Sequence, residues 1–454
     1  MKFASRAHPA HAVGFREALF TGLAPDGGLY HPVESPELGQ IFSSFDDTTS
    51  FEELAGLVFS RLLSPELTED DVRTIVRRAF TFAPAVRRLD DNILLLELFH
   101  GPTCAFKDFG AQFLATAMEH FLGETERRIQ ILVATSGDTG SAVAHAFFGK
   151  RNIDVVILYP SRRVSELQEK QLTTLGQNVH ALEVKGSFDD CQRLVKEAFQ
   201  DPILRGRLRL TSANSINIGR LLPQSLYYAF AVTRRSLLAS GRTLGAAQAE
   251  GRGPVASSGP VICVPSGNFG NLTAGVYAWH WGLPVGGFIA ATNVNDVVPR
   301  YLSTGRYVPR PSARTLSNAM DVGNPSNFER LEEIFRRDWR EMAARIQGIA
   351  VTDEETLQTM GEAYRSHGVL VDPHTAVGLA AAKCLLRGDP ARGAQIIVLS
   401  TAHPGKFAET VQRATGTTPA MPERLAACLS RPSQSVTINP EFSKLSSYLL
   451  DSFG

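Results

Sequence analysis

Short apolar runs rich in β-branched residues recur along the chain, separated by longer stretches in which apolar positions return every three or four residues. The runs at 92–99, 129–135, 154–159, 178–184, 261–264, 288–291 and 395–399 predict strands. The amphipathic stretches at 108–122, 139–148, 189–199, 221–238, 272–281, 328–346, 354–366 and 375–386 predict helices between most of them. Parallel strands need long crossover connections, usually helical, so this alternation implies parallel sheets with helices on both faces. The fold class read from the pattern is α/β. Segment 1–95, with helical patterns at 51–63 and 70–79, predicts an N-terminal helical subdomain. A smaller α/β domain is expected at 96–225 and a larger one at 226–454. Residues 239–260 are rich in Gly, Ala and Ser without apolar periodicity, and read as a flexible insertion.

Over 454 residues, 46 Lys and Arg balance 46 Asp and Glu, so no overall basic field exists to capture nucleic acid or an anionic membrane. A hydrophobic content of 43 % with 20 % charged residues suits large buried cores. Segment 253–295 lacks any Asp, Glu, Lys or Arg, but Pro265, Pro284 and several Gly and Asn interrupt it, and it reads as buried strands flanking a helix rather than a membrane span. The first residues carry Lys2, Arg6 and Arg16 without an apolar core, and Glu17 and Asp26 follow, which reads against a secretory leader or transit peptide. Cys104, Cys191, Cys263, Cys384 and Cys428 are scattered with no C-x-x-C pair, which fits a reducing, cytoplasmic setting. The histidines form no H-E-x-x-H, and no metal centre is expected.

Candidate chemistry gathers in polar, Gly-containing turns. ATSGDTG, VPSGNFGN and STAHPGK each follow the carboxyl end of a predicted strand, and FHGPTCAFKDFG follows another. In open parallel sheets such turns lie along one edge, where ligands bind, so these distant segments are expected to line a single cleft. The turn at 266–271 can aim several backbone N–H groups at an anion, with Gly267 and Gly270 permitting close approach. It has neither the P-loop nor the dinucleotide pattern, and on its own it reads first as a tight strand-to-helix connection. Lys107 sits among Cys104, Ala105, Phe106 and Phe109 at the first turn of a predicted helix. Desolvation and the positive helix end there favour a neutral amine, the form that makes imines. On position alone, a snorkelling lysine or a pair with Asp108 is the simpler reading.

In combination, HGPTCAFKDFG, ATSGDTG, VPSGNFGN, SNAMDVGNPSNFERL, VDPHTAVG and STAHPGKF, with the opening GLAPDGGLYHP, resemble the landmarks of the threonine synthases, which are fold-type II pyridoxal-phosphate enzymes. The likeness runs in order to about residue 415 and is similar to the long bacterial and fungal forms. Cys104 departs from the leucine common there, and the 239–260 insertion is longer than usual. The resemblance implies that Lys107 carries pyridoxal 5'-phosphate, that Gly267, Asn268, Phe269, Gly270 and Asn271 hold its phosphate, and that Thr401 hydrogen-bonds the pyridine nitrogen. It places Asp138 near the cofactor's phenolic oxygen, where an ionised carboxylate would be repelled unless a proton is shared or the group turns away. It also implies that Thr135, Ser136 and Thr139 grip the substrate α-carboxylate, and that Asn214, Ser215 and Arg220 of SANSINIGR surround the substrate's own phosphate. Without the resemblance, Thr401 is a turn hydroxyl, Asp138 a helix N-cap and Arg220 a surface cation.

The implied activity is conversion of O-phospho-L-homoserine and water into L-threonine and phosphate, the last step of threonine biosynthesis. A small-molecule substrate and a monomer are expected, with a dimer as the alternative. The nearest competing reading is a threonine dehydratase or sulfhydrylase, which needs no second anion site at 214–220. A reading of another class is a catalytically silent homologue that binds a phosphorylated ligand.

Overall fold

The computed structural model describes residues 1–123, 128–135, 137–162, 164–239, 259–388 and 395–454. Its strands, in chain order, are β1 (Phe3–Ala4), β2 (His31–Pro32), β3 (Ala85–Arg88), β4 (Ile93–Glu97), β5 (Ile129–Ala134), β6 (Ile153–Pro160) and β7 (Val179–Val184). They continue with β8 (Leu210–Thr211), β9 (Val261–Pro265), β10 (Gly287–Thr292), β11 (Ile346–Ala350), β12 (Ile396–Ser400) and β13 (Ser435–Ile438). One sheet has the order β11-β10-β9-β12-β4-β3 and is parallel except for the β3–β4 pair. A second, with the order β13-β7-β6-β5-β8, is parallel throughout. β1 and β2 form a separate antiparallel ribbon.

The α/β expectation holds, and for the expected reason. Every residue of β5, β6, β9, β10 and β12 is buried, as continuous apolar strands must be when helices cover both faces of a sheet. Asp154 on β6 is tolerated because the Arg128 guanidinium lies 2.6 Å from its carboxylate. The strands that the pattern does not predict are edges. β3 (AVRR), β11 (IQGIA) and β13 (SVTI) are short and half exposed, so they lack the long apolar run of a central strand.

Two long helices expected from periodicity are broken. The stretch at 221–238 becomes Ile218–Leu221, Gln224–Val232 and Arg235–Ala239, since Pro223 has no N–H to donate to the preceding turn. The stretch at 328–346 becomes Phe328–Ile334 and Trp339–Arg345. Arg336 and Arg337 are left-handed between them, and the Asp338 carboxylate accepts from the N–H groups of Arg340 and Glu341, restarting the helix. Ile346, expected to end that helix, opens β11 instead. The helices Glu423–Leu429 and Phe442–Phe453 near the carboxyl end also escape the pattern.

The sheets cut across the expected domain division. β3 lies in the segment assigned to the N-terminal subdomain yet joins the six-stranded sheet, and β13 returns from the far end of the chain to the five-stranded one. The expected boundary at 225/226 falls inside the helix Gln224–Val232. The insertion expected at 239–260 lies, apart from its ends, outside the described residues.

The helix Phe51–Leu63 starts where the Ser50 hydroxyl accepts from Glu53 N–H, and Glu69–Ala79 starts in a capping box between Thr68 and Asp71. The first packs through aromatic side chains onto the helix Lys107–Leu122, with Phe51 edge-on to Phe109 at 5.4 Å and Phe59 4.4 Å from Phe113, and the second, which has no aromatic residue, also lies against that helix. That helix is further fixed at Gly110, where an added Cβ would lie 2.4 Å from the Arg220 carbonyl oxygen. Gly110→Ala is therefore expected to lower the thermal unfolding midpoint. The overpacking costs about 1–3 kcal/mol, against up to roughly 1 kcal/mol gained in helix propensity. An unchanged or raised midpoint would show that the two backbones separate freely.

Candidate active site

The loop that leads to Lys107 is stitched to the end of β12. Leu98 N–H donates to the Ser400 carbonyl at 2.9 Å, Phe106 N–H donates to the Thr401 carbonyl at 2.8 Å, and Ala105 bridges Ala402. Lys107 is thus the first residue of a buried helix and lies beside Thr401, which is 5 % exposed. Asp108 does not pair with it. Its carboxylate accepts from Thr103 N–H at 2.8 Å and from the Thr103 hydroxyl at 2.7 Å, and burial raises its pKa to about 6.

The charge near Lys107 comes from elsewhere. Lys107 Nζ lies 3.7 Å from Asp138 Oδ2, and Lys406 Nζ lies 2.8 Å from Asp138 Oδ1. Gln168 Nε2 donates to the same Oδ1 at 3.2 Å, and Lys406 Nζ also donates to the Thr103 carbonyl at 2.9 Å. Asp138 is the first residue of the helix Asp138–Phe147, whose N-cap is Gly137, and its side chain makes no capping bond. The N-cap reading of Asp138 is therefore replaced by an ionic one. Burial pushes the carboxyl up, but the Lys406 and Lys107 charges override it and hold the group far below the usual carboxylate range. For Lys107, burial pushes the amine down, Asp138 opposes this, and Lys406 and Arg220 add to the lowering.

Thr135 shapes its turn: its hydroxyl oxygen accepts from the N–H groups of Gly137 at 3.0 Å and Gly140 at 2.9 Å. Thr139 is partly exposed on the first turn of the following helix, and Ser136 lies outside the described residues.

After β9 the chain turns through Ser266, Gly267 and Asn268 into the helix Gly270–His280, with Phe269 left-handed at φ 61°. A Cβ at Gly267 would lie 2.6 Å from the Ala319 carbonyl oxygen, so only glycine lets these backbones meet. The 318–320 turn is itself held by His374, whose Nδ1 lies 2.7 Å from Asp372 and whose Nε2 accepts from Ala319 N–H at 3.2 Å. Asn268 links two segments: its amide donates to the Ser215 hydroxyl at 2.6 Å and its carbonyl accepts from Ser326 N–H at 2.6 Å. Asn271 Oδ1 accepts from the hydroxyls of Tyr227 and Tyr228 at 2.6 and 2.7 Å.

Arg220 is no surface cation. It is 3 % exposed, one guanidinium nitrogen donates to the Ala213 carbonyl at 2.7 Å, and burial lowers its pKa to about 10. Arg220 Nε, Asn214 Oδ1, Asn271 Nδ2 and Asn327 Nδ2 are buried without a hydrogen-bond partner among the described residues. The structure therefore brings the loop at 267–271 against the segment at 214–220, and leaves more donors than acceptors where they meet.

A family model described as "Pyridoxal-phosphate dependent enzyme" matches residues 72–402, and models for the threonine synthase N terminus and C-terminal region match 2–80 and 375–448. A threonine synthase of Haemophilus influenzae is 43 % identical over 445 residues, covering 98 % of each chain. The chain belongs to the threonine synthase family. The crystal structure of threonine synthase from Escherichia coli matches with a TM-score of 0.85 at 41 % identity and covers 100 % of both chains. That of PLP-bound threonine synthase from Brucella melitensis matches with a TM-score of 0.88 at 36 % identity, over 100 % of this chain and 99 % of the other. The family likeness runs to 448, past the 415 reached by motifs.

Within this threonine synthase site, sequence reasoning did not single out Lys406, Gln168, His374 or Arg330. Lys406 stood at the end of STAHPGK, where a lysine after a Pro-Gly turn in apolar company was the available signal. Arg330 is fully buried, and burial lowers its pKa to about 10. It donates to the Tyr30 carbonyl at 3.0 Å, Asn327 Oδ1 at 2.6 Å and the Ile216 carbonyl at 2.7 Å, tying the N-terminal segment to the 214–220 segment. Arg330→Met is expected to lower the denaturation midpoint, because each acceptor left unpaired costs about 1–3 kcal/mol. A midpoint equal to that of the parent would show that these carbonyls find other donors.

Proposed function

We propose that the chain converts O-phospho-L-homoserine and water into L-threonine and phosphate, with pyridoxal phosphate attached to Lys107. The observation that carries this reading is the Asn268–Ser215 hydrogen bond, which joins the glycine turn to the segment that carries the buried Arg220 guanidinium. A cofactor phosphate and a substrate phosphate need separate sets of donors. A dehydratase or sulfhydrylase needs only the first.

The residues suit the cofactor. The backbone of 267–271, close-packed at Gly267, and the unpaired Asn271 amide suit its phosphate. Thr401 would face the ring nitrogen and Asp138 the phenolic oxygen. When bound, the cofactor spreads negative charge away from the substrate α-carbon.

The chain's own groups do the rest. The low pKa of Lys107 makes its amine available as a base at Cα, and its place at the helix start lets the same Nζ return protons to the neighbouring carbons. Thr139 and Ser136 would orient the α-carboxylate, within a turn whose shape Thr135 sets through its backbone bonds. Arg220, Asn214 and Ser215 would bind the phosphate that leaves Cγ. A guanidinium that hydrogen-bonds no carboxylate among the described residues would stabilise the extra charge that gathers on phosphate as the carbon–oxygen bond breaks.

Among the described residues no helix is long and apolar enough to cross a membrane. A cytoplasmic, monomeric enzyme is part of the same proposal.

Incubation with phosphohomoserine is expected to yield threonine and phosphate in equal amounts, and an oxo acid with ammonia would favour the dehydratase instead. Lys107→Ala should stay folded yet lose both turnover and the visible absorbance of the covalently held cofactor. Full activity in that variant would sink the assignment. Arg220→Ala should keep the cofactor while phosphohomoserine turnover falls well over tenfold, since losing a charge-assisted contact to a buried anion costs about 2–5 kcal/mol. Release of cofactor, or unaltered kinetics, would remove Arg220 from the substrate phosphate.

A further inference from the structure

Asp138 has two lysines and they are not equivalent. Lys406 Nζ has two oxygens in hydrogen-bond range, Asp138 Oδ1 at 2.8 Å and the Thr103 carbonyl at 2.9 Å, and its side chain is 1 % exposed. Lys107 Nζ has Asp138 Oδ2 at 3.7 Å, longer than an ordinary hydrogen bond, and is 15 % exposed. Lys406 lies in the 3-10 turn Pro404–Phe407, directly after the segment that holds the Lys107 loop, so the two amines approach Asp138 from different elements.

A buried carboxylate needs one compensating charge. With Lys406 protonated and Asp138 ionised the pair is neutral, and a proton on Lys107 would leave a net positive charge facing Arg220. The charged groups facing Lys107 are Asp138, Lys406 and Arg220; His374 faces Asp138, and Asp108 faces Lys406 and Arg220.

We propose that Lys406 is a positioning residue of this active site: it serves as the fixed counter-ion of Asp138, so that the carboxylate stays ionised without holding Lys107 as an ammonium. Lys107 is then the amine that gives up its proton. The same arrangement resolves how Asp138 can lie beside a phenolic oxygen, because Lys406 supplies the positive charge that the two oxygens would otherwise lack. The inference rests on Lys107 being the cofactor-bearing amine.

The test follows the rate at which the full-length, cofactor-free protein binds pyridoxal phosphate covalently, read as borohydride-sensitive visible absorbance from pH 6 to 10. Only the uncharged amine reacts, so the rate rises with pH through the Lys107 midpoint, and comparison between variants cancels the titration of the cofactor itself. In Lys406→Met, Asp138 has Lys107 as its remaining cation, and the midpoint should rise by about one pH unit or more, slowing uptake at pH 7.5 by roughly tenfold. Adding Asp138→Asn to that variant should bring the midpoint back down. Asp138→Asn alone should lower it below that of the parent, since Lys406 then repels Lys107 unopposed, and this arm stands whether or not Lys406→Met folds. An unmoved midpoint in either single variant, or a double variant as high as Lys406→Met, overturns the proposal while leaving the assignment of Lys107 intact. Failure of the parent protein to bind the cofactor covalently, or binding that persists in Lys107→Ala, overturns both.

Discussion

Removing a carboxylate from water is expensive, and Asp138 is buried where the rest of the site must work around its charge. The structure meets that cost with a second lysine. Lys406 lies on the chain directly after the residues that pair with the Lys107 loop, so the contact that places Lys107 also delivers the ion that neutralises Asp138. Thr103 belongs to the same knot, since its carbonyl accepts from Lys406 while its N–H and hydroxyl hold Asp108. Asp108, one residue from Lys107, is thereby kept from competing as its partner. The longer Lys107–Asp138 contact, 3.7 Å, and the closer Asp138–Lys406 pair, 2.8 Å, are two consequences of one packing arrangement.

The other half of the site follows from giving buried guanidiniums neutral hydrogen-bond acceptors. Arg220 and Arg330 are both buried and both donate to carbonyl or amide oxygens instead of carboxylates. Neutral acceptors satisfy hydrogen-bond geometry without cancelling charge, so the 214–220 segment keeps a positive potential that an anion can use. Arg330 joins two distant stretches of chain, at Tyr30 and Ile216, to its own and so fixes the segment, while Arg220 retains a buried Nε with no partner among the described residues.

Which parts of this were legible from sequence depends on how much of the physics was local. Central strands such as β6 and β9 are continuous apolar runs because helices cover both faces, and that signal lies within the strand itself. β3 and β13 are edges whose pairing partners lie elsewhere in the chain, and AVRR or SVTI carries too little periodicity to declare a strand. The break at Pro223 was visible in the residue type, whereas the one at Asp338 depends on a capping bond that competes with an otherwise good helical pattern. Within the site, position alone made Lys107 a snorkelling lysine and the family resemblance gave it its expected role, while the partner of Asp138 could not be read from its neighbours. Asp138 was read from sequence with no cation in view, and the structure places Lys406 2.8 Å from its carboxylate. Thr135 is the reverse case, a residue marked for substrate whose hydroxyl the turn itself uses.

One close contact connects the two halves. Gly110 lies one helical turn after Lys107, and its missing side chain lets the Arg220 backbone rest directly on the helix that carries the amine. Lys406 and, after it, Arg220 are both close enough to lower the pKa of the Lys107 amine. The cation proposed for the substrate phosphate therefore also favours the neutral form of the lysine. Binding a phosphate ester would offset the Arg220 charge and ease the lowering, so the affinity of Lys107 for a proton should increase when that site fills. An amine that gains basicity once a phosphorylated substrate is in place is better able to take a proton from carbon. A substrate without phosphate would leave it less basic, so on the proposed reading a phosphate held at Arg220 would help to select the reaction as well as to bind the substrate.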